Sequence, residues 1–191
     1  MHITWLDALR PDSPARAAVH AAIEREAASR GWTLRTFFLP DIDIAPCAGD
    51  FKCWTDTPGT CAIDDANREI ARAAVQCDVL LMSTPVTFGG YSSDLKRAVD
   101  HLIQNITPLF MRVDGEMHHV PRYARYPGLL AVGTLAAPDE ESAEVFRTLV
   151  RRNAINMWAP TTVAVIVDAT QPETKIASAV TDAFTRSEAA A

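Results

Sequence analysis

The chain has no Lys/Arg-rich tract to offset its formal net charge of -6, which argues against non-specific nucleic-acid binding. It has no apolar run near the roughly 20 residues that cross a bilayer, so no membrane span is expected. Walker loop, nucleophile elbow and Ser/His/Asp order are all missing, which leaves kinase and hydrolase chemistry without a foothold. Low-complexity linkers and internal repeats are absent too, and 191 residues suit one domain, 1–191, with a real core. Met1-His2-Ile3-Thr4-Trp5-Leu6 enters an apolar segment directly, without a basic leader or cleavage site, so a cytoplasmic location is expected. Cysteine is scarce: 4 residues, Cys47, Cys53, Cys61 and Cys77, three of them in one loop. Without a secretion signal, that pattern favours thiols, a metal site or redox chemistry over a disulfide scaffold.

What is present alternates. Ile3 to Leu6 reads as a buried strand ending at Asp7. Ser13-Pro14 predicts a helix start, with Ser13 at the N-cap and Pro14 at the first helical position. Trp32 to Leu39 is a second strand, stopped by Pro40. A loop of this length, 41–64, is uncommon unless it has a task. Asp65 to Val75 reads as a helix, and Asp78 to Thr84 is the near-continuous apolar run of a central parallel strand. A helix over about Ser92 to Ile103 follows. The stretch 106–126 has no clean period and reads as an excursion. Gly128 to Leu135 is a fourth strand, and a helix between Pro138 and Trp158 carries Val145, Leu149 and Ile155 on one side. Thr161 to Val167 is a fifth strand and Pro172 to Ser187 the last helix. Strand-helix alternation repeated five times predicts an α/β fold: a flavodoxin-like, doubly wound parallel sheet of order 2-1-3-4-5 in three α/β/α layers.

Such sheets bind ligands beyond the carboxyl ends of their strands. Thr84-Pro85-Val86-Thr87-Phe88-Gly89-Gly90 lies there. Pro85 fixes backbone shape and the glycines allow close approach. Free amides in this turn suit the polar edge of a flat heteroaromatic ring, with Phe88 packing against it. The alternative is an ordinary strand-to-helix connection.

That segment, followed by Asp94-Leu95-Lys96 and Asp100, resembles the ring-binding loop and helix of the NADPH-dependent FMN reductase and iron–sulfur flavoprotein group. Those proteins commonly read Thr-Pro-Val-Tyr-Phe-Gly, then Leu-Lys, then Asp-Arg. Here Thr87 replaces the tyrosine and His101 the arginine. The resemblance runs from Cys47 to about Gly133 and includes Asp114 to His119, Arg122-Tyr123 and Tyr126-Pro127. It implies FMN as cofactor, NAD(P)H as co-substrate and a small-molecule electron acceptor. It also implies a homodimer or homotetramer, to which the excursion would contribute. Cofactor contacts are expected from Thr84, Pro85, Val86, Thr87, Phe88 and Gly89, and from Thr134 after the fourth strand. No catalytic side chain is named, because the flavin carries the electrons and exchanges its own proton with water.

In this group the FMN phosphate sits in the turn after the first strand, usually Gly-Ser-Pro-Arg. Here the turn is Asp7-Ala8-Leu9-Arg10-Pro11-Asp12-Ser13-Pro14-Ala15-Arg16. Pro11 and Pro14 remove donors and Asp12 adds a negative charge. Arg10, Ser13 and Arg16 are the candidates to compensate, the arginines through a bidentate fork. The other reading is a helix cap beside two solvated arginines.

Iron–sulfur flavoproteins carry four loop cysteines. This chain keeps the spacing at Cys47, Cys53 and Cys61 but has Asp50 in the second position. Three readings stand: a four-iron cluster with Asp50 as fourth ligand, another metal such as zinc on the same four residues, or a metal-free loop of packed or reactive thiols. The third is preferred. In it Trp54, Pro58 and Gly59 fold the loop over the flavin edge as a lid. Cys77 reads as a small buried apolar residue. His118-His119 reads as a surface or interface pair, and Lys96 and Asp100 as an exposed ion pair one helical turn apart. An iron–sulfur electron carrier and a non-catalytic flavodoxin-like protein remain the alternatives to a flavin oxidoreductase.

Overall fold

The computed structural model describes residues 1–189. Five strands form one parallel sheet: β1 (His2–Asp7), β2 (Thr33–Phe38), β3 (Val79–Pro85), β6 (Gly128–Leu135) and β7 (Thr162–Asp168). Their spatial order is β2-β1-β3-β6-β7, which is 2-1-3-4-5 when only sheet strands are counted. The excursion is an antiparallel hairpin of β4 (Ile106–Val113) and β5 (Glu116–Pro121). A bulge breaks its register between Ile106 and Phe110. That irregularity hides the period-2 pattern from a reading of the sequence.

The helices are α1 (Arg16–Ser29), α2 (Lys52–Thr55), α3 (Asn67–Gln76), α4 (Ser93–His101), α5 (Glu140–Asn156) and α6 (Glu173–Ala189). Strand side chains alternate between two cores. Leu80 and Met82 pack with Ile70, Leu95 and Phe146 under α3, α4 and α5. Val79 and Leu81 pack with Val19, Ile23, Val180 and Phe184 under α1 and α6. With both faces of β3 covered, its sequence has to be apolar throughout, which is why it is the plainest strand to read.

Two expectations are corrected. Helix α1 begins at Arg16, with Ala15 as an uncapped N-cap at φ 56°, not at Ser13-Pro14. The carbonyl of Arg10 accepts from Ser13 N, and that of Ser13 from Arg16 N. Two successive turns therefore precede the helix, with Pro11 and Pro14 at their second positions. Ala15 takes the left-handed third position of a type II turn, a place proline before it favours. On α5 the inward residues are Ala143, Phe146, Val150 and Ala154. Val145 points outward and is 51% exposed.

Candidate functional site

The chain order reverses between β1 and β3, so their carboxyl ends flank the crevice where this architecture binds ligands. A buried polar network supports that crevice. Trp5 Nε1 donates to Ser83 Oγ at 2.9 Å, and Ser83 Oγ donates to Asp7 Oδ1 at 2.6 Å. Leu9 N donates to the same carboxylate oxygen at 3.1 Å. His20 Nε2, from α1, lies 3.0 Å from Asp7 Oδ2 but out of line for a hydrogen bond. The Asp7 carboxylate is thus held beneath the loop, not presented to the crevice.

Above it, the three residues expected to compensate for the altered turn do not converge. Arg10 donates through Nε and Nη2 to Asp94 Oδ2 at 3.1 and 2.8 Å. Arg16 donates through Nε to Leu9 O at 2.9 Å and lies over the Phe38 ring. Ser13 serves the turn through its backbone instead of capping α1. What does face the crevice is the uncapped first turn of α1. The amides of Ala17 and Ala18 have no hydrogen-bond partner among the described residues. Free first-turn amides and the helix dipole favour an anion.

At the end of β3, Thr84 Oγ1 accepts from Ser92 N at 3.0 Å and donates to Pro85 O at 2.9 Å. It joins the strand to the start of α4. Val86 N donates to Thr134 O at 2.9 Å, tying the turn to β6. Thr87 and Gly90 exchange both backbone hydrogen bonds, at 3.0 and 2.8 Å. The apex between them is Phe88-Gly89. Both residues have positive φ, 49° and 74°, and neither amide has a partner among the described residues. Phe88 is 100% exposed. Phe88 is a non-glycine residue held in the left-handed region, a backbone cost that its ring, entirely in solvent, does not offset. Nearby, the buried Thr134 Oγ1 has no partner. Gly133 lets the turn seat: a Cβ there would lie 2.7 Å from Val86 Cγ2 and 2.6 Å from Ile166 Cδ1.

The cysteine loop lies elsewhere. Trp54 Nε1 donates to Ile103 O and Ile106 O at 3.1 and 3.0 Å, and its ring packs between Phe51 and His119. The loop therefore docks just beyond the end of α4, on the turn that leads into β4. That helix has 9 residues, so its two ends are about 13 Å apart along the axis. The expected lid is overturned: Trp54 is anchored beyond the far end of α4 from the Phe88 turn, and Gly59 N closes back on Cys53 O at 2.9 Å. His118 is likewise not a surface residue. It is buried, with Nδ1 2.9 Å from Asn156 Oδ1 and Nε2 3.1 Å from Glu116 Oε2, and it fixes the hairpin to α5. Lys96 pairs with Asp100 in the open, as expected.

All four cysteines are free thiols. Burial pushes the Cys53 thiol up, with Cys61 and Cys47 adding to the effect. Cys77 is buried, as expected. Asp50 accepts from Lys52 N at 3.2 Å and pairs with Lys52 Nζ. Among the described residues no three His, Cys, Asp or Glu side chains are disposed around one ion. Burial raises the Asp65 carboxyl, but hydrogen bonds from the Asn67 and Ala45 amides and the Asn67 side chain, with His101 nearby, outweigh it and leave it below the usual range. A depressed carboxyl stabilises the fold above about pH 4 and loses that contribution as pH falls through its native value. Asp65→Asn is therefore expected to flatten the acid limb of stability. Urea midpoints between about pH 5 and 2 check this; parallel wild-type and variant curves would contradict it.

A model of the NADPH-dependent FMN reductase family matches residues 6–170. The chain belongs to that family. It is 31% identical over 91 residues to an iron–sulfur flavoprotein of Methanocaldococcus jannaschii, a match that spans 48% of this chain and 46% of that relative. It thus spans about half the length of the curated relative it matches. Its fold is that of an NAD(P)H:quinone oxidoreductase from Methanothermobacter marburgensis, with a TM-score of 0.69 at 13% identity, covering 95% of this chain and 96% of that one. A similar likeness holds to an FMN-dependent NADH-azoreductase from Bacillus anthracis in complex with FMN. There the TM-score is 0.67 at 12% identity, covering 100% of this chain and 99% of that one.

An FMN reductase must hold a dianionic phosphate at one end and a polar-edged ring at the other. The residues present fit both demands through backbone more than charge. The amides at the start of α1 are free to serve the first, those of Phe88 and Gly89 are free to serve the second, and Thr134 Oγ1 is a buried oxygen without a partner. Sequence reasoning missed His20 beside Asp7 and Asp94 beside Arg10. Neither has a local signal, since each partner arrives from a different element.

Proposed function

We propose that this protein is an FMN-dependent NAD(P)H oxidoreductase that passes electrons to a small aromatic acceptor of the quinone or azo class. The observation that carries the reading is the Thr87–Gly90 turn, with its unpartnered apex amides and solvent-exposed Phe88 at the crevice. Family membership and the acceptors named for the two structural relatives support it.

When bound, FMN supplies reversible acceptance and release of a hydride's electrons. The chain's task is binding, orientation and exclusion of water. Amides of Phe88 and Gly89 would donate to the ring edge, and Pro85, Val86 and Thr87 would form its bed. Thr84 holds that bed to α4, and Thr134 lies beneath it. The α1 amides would take the phosphate, with Ser13 shaping the turn and Arg10 and Arg16 bordering it. Arg10 would contribute its long-range charge only after sharing it with Asp94.

Addition of FMN to purified protein should quench flavin fluorescence at one equivalent per chain, and NAD(P)H should then reduce a quinone or azo dye. Phe88→Ala should weaken FMN binding by about twofold to tenfold, the worth of one aromatic contact. Its unfolding midpoint should not move, because the ring touches only solvent in the free protein. No uptake of FMN by the wild-type chain would reject the reading.

The hairpin carries exposed Leu109, Phe110, Met111 and Met117. Such a patch supports a homodimer or homotetramer, which sedimentation would resolve. No helix of the described residues is long and apolar enough to cross a membrane. A cytoplasmic setting fits the need for reduced nicotinamide.

A further inference from the structure

The cysteine loop holds a feature that the flavin site does not use. His101 Nε2 lies 2.7 Å from Ala45 O, and its Nδ1 lies 3.6 Å from Cys61 Sγ. A carbonyl only accepts, so Nε2 carries the ring hydrogen and Nδ1 presents its lone pair to the thiol. The tautomer is fixed from behind: Ala45 N donates to Asp65 Oδ2 at 2.9 Å, and Ala45 O accepts from the imidazole. The ring itself is buried, at 2% exposure. Cys61 is held on both sides of its peptide. Its N–H donates to Gln104 Oε1 at 2.9 Å, and its carbonyl accepts from Arg68 Nε at 2.9 Å. Cys61 is partly open to solvent, whereas Cys53 is buried. Cys47, Cys53, Cys61 and His101 together line one small cavity of about 30 Å³.

We propose that Cys61 and Cys53 form a redox dithiol in which His101 activates Cys61 toward low-molecular-weight disulfides. A nucleophilic sulfur with a base at its hydrogen and a second thiol in the same cavity is what thiol–disulfide exchange requires. In the first step the Cys61 sulfur attacks one sulfur of RS–SR while His101 Nδ1 takes the thiol proton. The S–S bond of the reagent breaks and RS⁻ leaves, collecting that proton. In the second step the Cys53 sulfur attacks Cys61 in the mixed disulfide and releases the second RS⁻, which takes the Cys53 proton. The net change is two protein thiols and RSSR to one protein disulfide and two RSH: the dithiol loses two electrons and the reagent gains them. Burial of Cys53 makes it the resolving partner, because an external reagent reaches Cys61 first.

The test uses fully reduced full-length protein and glutathione disulfide under argon, with peptide mass mapping over time. Cys61 should be modified at least tenfold faster than Cys47 or Cys77. Two equivalents of glutathione should be released per chain, and a Cys53–Cys61 disulfide should form. Cys53→Ser should stop at glutathione on Cys61, with one equivalent released. His101→Gln, whose amide N–H₂ can replace the bond to Ala45 O, should slow Cys61 modification at least tenfold. Its circular dichroism and unfolding midpoint serve as the check on folding. If His101→Gln fails to fold, the Cys53→Ser trapping result decides. A Cys61 rate equal to that of the urea-unfolded chain would overturn the proposal. So would a stable mixed disulfide in the wild type, a bridge to Cys47, or a metal ion isolated on these thiols. Flavin uptake is measured separately and bears on none of these outcomes.

Discussion

Phe146→Ala is expected to lower the unfolding free energy by about 3–5 kcal/mol, the range for emptying a buried aromatic site. Phe146 is fully buried on α5 and meets Tyr91 edge to face, with ring centroids 5.7 Å apart. Its Cε1 lies 3.1 Å from where a Cβ on Gly133 would stand. The ring is therefore wedged beneath the ends of β3 and β6, and the cavity left by alanine opens under the crevice. Tyr91 would lose its partner while still tied by Asn153 Nδ2 at 3.2 Å. Burial pushes the Tyr91 hydroxyl up to about 12, so it stays neutral and gives no compensating charge. For a chain of this size the melting temperature should fall by roughly 6–20 °C. Val145→Ala, one residue earlier on the solvent face, should change stability by less than about 0.5 kcal/mol. Urea unfolding of both variants checks the pair, and a larger loss at Val145 would refute the assignment of faces on α5.

That pair shows where the sequence was legible. The elements and their order follow from strong local signals: the apolar run at β3, the alternation of strand and helix, and Gly128–Leu135. The face of α5 does not. Val145 and Phe146 are both apolar neighbours, and a 3.6-residue period cannot choose between two registers when apolar residues occur on both. Ser13-Pro14 misleads for a related reason. The dipeptide suits a helix start and a type II turn alike, and Pro11 three residues earlier decides for the second by setting up consecutive turns. The crevice turn was readable because Pro85, Phe88 and Gly89 are contiguous. The Cys61–His101 contact was not, since residues 40 apart in sequence meet only when α4 brings its last turn to the loop.

Gly89→Ala should weaken FMN binding by about thirtyfold to a hundredfold, that is by roughly 2–3 kcal/mol. Two separate costs add there. The position has φ 74°, which an alanine adopts with strain. The new Cβ would also stand 2.6 Å from Val145 Cγ1, well inside contact distance. The cheapest relief is for the Thr87–Gly90 turn to shift away from α5, and that moves the two free amides on which ring recognition rests. Strain and overlap are separable because Val145 is an exposed side chain. Gly89→Ala with Val145→Gly removes both close contacts, Cγ1 at 2.6 Å and Cβ at 2.7 Å, and keeps the φ penalty, so its FMN affinity should fall between wild type and Gly89→Ala. Fluorescence titration of the four proteins in that cycle gives a coupling energy for the pair. A coupling near zero, with Gly89→Ala as weak as predicted, would assign the whole loss to backbone strain. Unchanged FMN affinity in Gly89→Ala would mean that the apex amides do not face the flavin, and the placement of the ring at this turn would have to be abandoned.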